Sequence, residues 1–414
     1  ICVAKPAWGR DNPKHARAPS GVCMSSNPPP PLPAAADEEA HTPLPEIKVS
    51  PRRFTLRDFL KTCVQINGSD IHLQAASTPM IRVDGRARFL DCPPPDDEAM
   101  KEMVETLLSG SEEKRKLLHD NGAVDLAYAQ ADTGRFRVNI FHSRERFAIV
   151  MRRIITKIPD FTDLNLPPQM EEFANVHRGI VIVSGTTGSG KSTSLAAIIG
   201  KINRTRAERI ITVEDPIEFQ HENAKSLVSQ VEVGQDSISY EYALRAMMRQ
   251  DPDVILIGEI RDSFSLTTAL RAADTGHLVF TTVHATNAPM TISRFVSLFD
   301  KDQKELQQTQ LGLNLVAVVC QRLAKKREGK GRIPVIEIMM ATPLVRKYIY
   351  DGEFEKLKGT VGNREAGSQS FDQHLTELFQ KQIIDVSEAK RLASNVDALS
   401  LALRGIGNSD TRLK

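Results

Sequence analysis

The sequence predicts an α/β protein whose main domain is a parallel sheet covered on both faces. Three observations predict it. Between residues 178 and 341, apolar strand-like runs at 180–183, 210–213, Val254–Ile257, Leu278–Val283 and 335–339 alternate with helical stretches, as chains with crossover helices do. A glycine-rich motif, Gly185-Thr-Thr-Gly-Ser-Gly-Lys-Ser-Thr193, stands between the first of these runs and a helix-patterned segment. Acidic and histidine clusters then fall at or beyond strand ends, and ligands of parallel sheets bind beyond the carboxyl ends of the strands.

The elements follow in chain order. The 414 residues suffice for two domains plus extensions. Residues 1–50 hold Pro28-Pro-Pro-Pro-Leu-Pro33, an Ala-rich acidic patch, and prolines at 43 and 45. Such a segment buries too little apolar surface to offset its ordering entropy, so a disordered tail is expected. Met24 is read as the native start, with residues 1–23 upstream of it and no secretory leader. Residues 51–155 read as a small α+β domain: a helix at Leu56–Gln65, strands at Asp70–Gln74 and 80–84 turning at Gly85, a helix near 96–108, and strands at 124–129, 135–141 and 148–153. The stretch 156–175, with Pro159, Pro167 and Pro168, reads as a linker. The parallel-sheet domain occupies 176–345. Helical segments at 346–358, Phe371–Gln380 and 386–395 make a C-terminal region over 346–414.

Bulk properties narrow the function. Fifty-four basic and 52 acidic residues leave a formal charge of +2, so no strong field draws the chain to nucleic acid or an anionic membrane. No apolar run approaches the ~18 residues of a spanning helix. The five cysteines include no Cys-x-x-Cys pair, which argues against zinc and a disulfide framework and fits a reducing compartment.

The glycine motif is a P-loop in its working context. The apolar run Gly179-Ile-Val-Ile-Val-Ser184 precedes it, and 192–203 follows with Leu195, Ile198, Ile199 and Ile202 on one helical stripe. Gly185, Gly188 and Gly190 let the backbone N–H groups of the loop, Thr186, Thr187 and Ser189 among them, turn inward on a triphosphate. The helix N-terminus, opening near Thr193, adds partial positive charge. Lys191 is expected at the β- and γ-phosphates of ATP, and the Ser192 hydroxyl on Mg²⁺.

Three further clusters lie in the same domain. Thr212-Val-Glu-Asp-Pro-Ile-Glu218 gathers Glu214, Asp215 and Glu218 around a proline turn. Asp253-Val-Ile-Leu-Ile-Gly-Glu259 is an apolar strand ending in a carboxylate, followed by Arg261 and Asp262. Gly276-His-Leu-Val-Phe-Thr-Thr-Val-His284 has His277 and His284 at either end of a strand. A carboxylate such as Glu259 beside a P-loop can hold Mg²⁺ through water or polarise the attacking water.

Together these stations resemble the Walker A loop, aspartate box, Walker B glutamate and histidine box of the secretion and pilus ATPase superfamily, in that family's order. Within it the chain looks like the pilus retraction ATPases of the PilT/PilU type. Met151-Arg-Arg-Ile-Ile-Thr-Lys-Ile-Pro159, Ala341-Thr-Pro-Leu-Val345 and Gln369-Ser-Phe-Asp-Gln373 are closer to the PilU branch. The resemblance implies a PAS-like N-terminal domain, a RecA-like core and a homohexamer, with ATP between the two domains. It implies that Glu259 activates water, that Glu214 and Glu218 are aspartate-box carboxylates, and that His277 and His284 relay the nucleotide state. It also implies arginines acting across a subunit boundary, for which Arg137 and Arg152 are the candidates. The implied partners are an inner-membrane pilus platform protein and a main retraction ATPase, at a cytoplasmic, peripheral location with no insertion into the membrane.

Two departures stand out. The family's His-Thr-Thr-Ser-Ala is His284-Ala-Thr-Asn-Ala288 here, and its Ala-Ile-Arg-Asn-Leu motif is replaced by Pro343-Leu-Val-Arg-Lys-Tyr348. Both favour an accessory motor. A RecA-like nucleic-acid motor finds little support in near-neutral charge and one Trp with five Tyr. Its one candidate surface, the basic run 322–332, reads as a solvated loop. Another secretion-system ATPase or a non-catalytic nucleotide-dependent scaffold is the remaining alternative.

Overall fold

The computed structural model describes residues 54–404 apart from 84, 155–157 and 330. The proline-rich extension, the Met24 start and residues 405–414 lie outside the described residues.

The N-terminal part is a six-stranded antiparallel sheet of β1 (Asp70–Gln74), β2 (Met80–Val83), β3 (Arg86–Phe89), β4 (Ala123–Gln130), β5 (Gly134–Ser143) and β6 (Arg146–Ile154), in the order β3-β2-β1-β6-β5-β4. The helices Leu56–Gln65, Asp97–Leu108 and Glu112–Asn121 bury Phe59, Leu60, Met100 and Leu118 in one core with Ile71, Phe136 and Met151. Strand β3 and the helix Glu112–Asn121 add to the elements expected from sequence. Each helix opens on a cap that satisfies an orphan backbone N–H: Thr55 accepts from Asp58, Asp96 from Ala99 and Ser111 from Lys114.

The larger sheet comprises β7 (Gly179–Ser184), β8 (Arg209–Glu214), β9 (Leu227–Glu232), β10 (Val254–Ile257), β11 (Leu278–Val283), β12 (Leu315–Lys325) and β13 (Arg332–Met340). Its order is β13-β12-β7-β11-β10-β8-β9. All of its pairings are parallel except β12 with β13. Strand β7 shows why a continuous apolar run was needed. Alternate residues point to opposite faces: Ile180 and Ile182 join one core with the helices Tyr240–Met247, Ser263–Asp274 and Ala288–Ser297, while Val181 and Val183 join another with the helix Lys191–Thr205. Removing Ile182 beyond Cβ would cost about 2–5 kcal/mol.

Several expectations are corrected. The run 335–339 lies in β13, which is antiparallel to its neighbour because the chain turns back after Lys325 and pairs Arg332 with it. Strands β9 and β12 are additional members of the sheet. The stretch read as a linker is packed: the helices Phe161–Leu164 and Pro168–Glu172 put Phe161 and Met170 into the core beneath Lys191–Thr205. The C-terminal helices likewise share the sheet's core through Phe371, Leu375 and Leu399, and Ile384 joins it from the turn between two of them. The basic run 322–332 is a solvated loop only in part: Arg327, Glu328, Gly329 and Gly331 are exposed in the β12–β13 turn, while 322–325 close β12. Arg322 stacks 3.8 Å from the Phe371 ring centroid and donates to Leu392 O and Ser394 Oγ.

Candidate active site

The carboxyl ends of β7, β8, β10 and β11 open onto one cleft of about 690 Å³, lined in part by Thr187, Gly188, Lys191, Ser192, Thr193, Glu214, Asp215, Glu218, Tyr240, Glu259, His284 and Gln321. That volume suits a nucleotide-sized ligand.

The P-loop is built by close approach. Strand β7 ends at Ser184, and Gly185 takes a φ of +152° with Gln321 O only 2.5 Å from where a Cβ would stand. Gly190 takes a φ of +91° against the Gln321 amide at 2.7 Å. Neither position accepts a side chain, so both glycines are needed for the loop to close on β12. Gln321 itself is buried and its Oε1 accepts from Ser194 Oγ at 2.8 Å, which fixes the loop to the first turn of the following helix.

Lys191 folds back on the loop. Its ammonium donates to Gly185 O at 3.0 Å and Thr186 O at 3.1 Å. Burial pushes its pKa down, opposed by the carboxylates of Glu259 and Glu218. The Ser189 hydroxyl is buried without a hydrogen-bond partner. An orphaned donor in a glycine cradle, beside a lysine whose hydrogen bonds are all to loop atoms and an imidazole, fits a site made for phosphate oxygens.

His284 joins the loop to the acidic station. Its Nδ1 lies 3.5 Å from Lys191 Nζ and its Nε2 lies 3.4 Å from Glu259 Oε2. A lysine ammonium only donates, so Nδ1 accepts and the ring proton sits on Nε2, facing the carboxylate. Arg294 steadies this turn by donating to His284 O at 2.7 Å. Asn287, the departure noted above, caps the next helix by accepting from Met290 N at 2.9 Å.

Glu259 is held from several sides. Its Oε1 accepts from Arg261 Nε, and the same guanidinium donates to Asp215 Oδ2 at 3.0 Å. The Tyr240 hydroxyl donates to Glu259 O at 2.7 Å and accepts from Glu259 N at 3.2 Å.

Glu214 and Glu218 reach the cleft in different ways. The Glu214 carboxylate is taken up internally by Thr212 Oγ1 at 2.6 Å and Gln230 Nε2 at 3.1 Å, and burial raises its pKa. That arrangement supports the β8 turn more than it offers a free base. Glu218 keeps its place on the cleft wall.

His277 is not brought to the cleft. It opens β11 at the amino end, about 20 Å from His284 at ~3.3 Å per residue, and its Nδ1 lies 2.9 Å from Ala272 O and 3.0 Å from Thr275 Oγ1. Arg137 and Arg152 also lie outside the cleft lining. They face each other across β5 and β6, where Arg152 donates to Asp70 Oδ1 at 2.9 Å and Arg137 stands 3.9 Å from Asp125. Sequence reading missed the roles of Tyr240 and Gln321 in this site. Neither sits in a recognisable motif, and only the fold carries them to the loop and the carboxylate.

Comparison with known proteins gives the family of the chain. The family model for "Type II/IV secretion system protein" matches residues 51–380. The chain is 38% identical over 352 residues to the type IV pilus ATPase PilU of Pseudomonas aeruginosa, covering 85% of this chain and 92% of that protein. It is 39% identical over 327 residues to a twitching motility protein of Neisseria gonorrhoeae, covering 79% and 87%. A crystal structure of the pilus retraction motor PilT with bound ADP superposes with a TM-score of 0.77 at 36% identity, covering 84% of this chain and 99% of that one. The chain thus belongs to the type II/IV secretion system protein family, as a nucleotide-using ATPase of the type IV pilus retraction group.

Proposed function

We propose that this ATPase works as a homohexameric motor whose hydrolysis of ATP drives type IV pilus retraction, in an accessory role beside a main retraction ATPase. The observation that carries the catalytic part is the chain of contacts Lys191–His284–Glu259 across the mouth of the P-loop.

The residues divide the work as follows. Backbone N–H groups of 185–190 and the N-terminus of the helix Lys191–Thr205 receive the triphosphate. Lys191 leaves the carbonyls of Gly185 and Thr186 for the β- and γ-phosphates. Ser192 and, through water, Glu259 are the groups that would hold Mg²⁺, which supplies charge neutralisation on the phosphates. Glu259 takes the proton of the attacking water. Because Lys191 and Glu259 share His284, movement of the lysine is felt at the carboxylate, so His284 can report nucleotide occupancy. Glu214 and Glu218 shape the acidic wall opposite.

Arg137 and Arg152 stand on the N-terminal sheet, away from their own cleft, which suits action on a neighbouring copy. A trans arginine is worth about 10³–10⁵ in rate, so an isolated subunit would hydrolyse slowly. Closure and reopening of successive cleft walls would then move a platform protein at the inner membrane, with the motor on the cytoplasmic side. Among the described residues no helix is long and apolar enough to cross a membrane. The accessory role rests on Asn287 and on Pro343–Tyr350. That helix uses Arg346 to bind the carbonyls of Leu313 and Leu315, a structural duty in place of the family's retraction motif.

The test is turnover by the purified full chain together with deletion of its gene. Slow hydrolysis when dilute, faster on assembly, and normal piliation with impaired twitching are expected. Full-speed hydrolysis by a subunit that stays monomeric at every concentration would overturn the ring. Hyperpiliation with lost motility would overturn the accessory role.

A further inference from the structure

We infer that Tyr240 is a positioning residue for Glu259, holding the peptide of the carboxylate from which water is to be activated. The inference deepens the catalytic reading of Glu259 and rests on it.

Tyr240 opens the helix Tyr240–Met247, whose N-cap Ser239 accepts from Tyr242 N at 3.1 Å. Its hydroxyl reaches the segment after β10, where Gly258 N donates to Val213 O at 2.8 Å and Ile260 N to Thr282 O at 2.9 Å, and it serves the N–H and C=O of the residue between them. There the phenol makes two bonds to one residue, donating to Glu259 O at 2.7 Å and accepting from Glu259 N at 3.2 Å. A phenol is one of few side chains able to do both at once. Burial, reinforced by Glu259 and Asp215, drives the Tyr240 pKa upward against its hydrogen bond and Arg261, so the hydroxyl keeps its proton throughout the neutral range.

The ring has a second use. The Arg261 guanidinium lies 5.7 Å from the Tyr240 ring centroid, and that guanidinium binds both the Glu259 carboxylate and Asp215. One tyrosine thus fixes the backbone of Glu259 through its oxygen and backs the cation on its carboxylate through its face. Glu259 Oε2 is left toward His284. Displacing a reacting group by a fraction of an ångström to an ångström costs up to about 10²-fold in rate, and the loss falls on the chemical step, not on binding.

The experiment compares Tyr240→Phe, Tyr240→His and Glu259→Gln in the assembled full chain, measuring kcat and KM for ATP and the affinity for a fluorescent ADP. Tyr240→Phe keeps the ring against Arg261 and removes only the oxygen. Its kcat is expected to fall about tenfold, with KM and ADP affinity within about twofold of wild type. Tyr240→His keeps an aromatic ring, but it is shorter than the phenol and no single ring nitrogen both donates and accepts, so the same fall in kcat is expected. An unchanged kcat in Tyr240→Phe, or a fall in kcat matched by an equal loss of nucleotide affinity, would overturn the inference. If Tyr240→Phe does not assemble, Tyr240→His alone decides between the same outcomes. Undiminished hydrolysis by Glu259→Gln would instead sink the catalytic reading of Glu259, a result distinct from full activity in the tyrosine variants alone.

Discussion

His284 Nε2 lies 3.4 Å from Glu259 Oε2, and the other ring nitrogen faces the P-loop lysine. The imidazole therefore links the P-loop lysine to the carboxylate proposed to activate water. His284→Ala is expected to lower kcat by about 10²-fold, the usual size of a lost proton-handling or orienting group, while nucleotide affinity changes little. Steady-state kinetics paired with equilibrium ADP binding distinguishes this from a binding defect.

Lys191 and Glu259 should fail in different ways. Lys191→Ala removes the charge proposed to meet the phosphates and is expected to lose both nucleotide binding and turnover. Glu259→Gln keeps shape and hydrogen bonding, so ATP should bind normally while hydrolysis drops by about 10²–10³-fold. Isothermal titration with a non-hydrolysable analogue, run beside phosphate release, reads the difference.

Arg135 donates to Glu232 Oε2 at 3.0 Å, tying β5 of the smaller sheet to the end of β9 in the larger one. Glu232 is 4% exposed, and burial raises its pKa against the pull of Arg135. Arg135→Ala removes the cation paired with that carboxylate and leaves it neutral donors such as Gln235 Nε2 at 2.8 Å, so the fold should be destabilised by about 3 kcal/mol. Adding Glu232→Gln should restore part of the loss. Urea unfolding of the single and double variants measures the coupling.

Two buried imidazoles set a pH limit. Burial pushes His374 down to about 4, with help from the Lys381 charge, and does the same to His221, helped by Arg204. His374 is neutral in the fold because Nδ1 accepts from Ile336 N at 2.9 Å. The folded value lies below the unfolded value of 6.5, so the unfolded chain takes up protons first as pH falls. Each histidine's contribution is complete above about pH 6.5 and is lost on the way down to about 4, roughly 3 kcal/mol apiece. His374→Gln retains an acceptor for Ile336 and should flatten this decline, as seen in urea midpoints between pH 7.5 and 4.5.

Much of the phosphate site could be read from the chain alone, because its signals are local. A buried strand, three glycines, a lysine and an apolar helical stripe occupy 179–203 without interruption, and backbone sterics leave that order few conformations. The runs at Val254–Ile257 and Leu278–Val283 were equally plain, being too apolar for anything but a doubly covered sheet. Strand β9 was not: Leu227–Glu232 is a largely half-buried edge strand whose three apolar residues are mixed with Ser229, Gln230 and Glu232. Strand β12 was obscured because its charged end belongs to a basic run whose arginine is satisfied by residues some 70 positions away.

The tertiary structure decided what sequence spacing left open. His277 and His284 bracket one strand, yet only the carboxyl end of a parallel strand meets the cleft, so pairing direction separates them. The direction of β13 was set by a hairpin, which local apolarity does not encode. Tyr240 and Glu259 lie 19 positions apart with no shared motif, and their contact exists only because β8, β10 and the helix Tyr240–Met247 pack side by side. Local pattern determined which groups this protein has for handling phosphate. The long-range packing of the sheet determined which of them face one another.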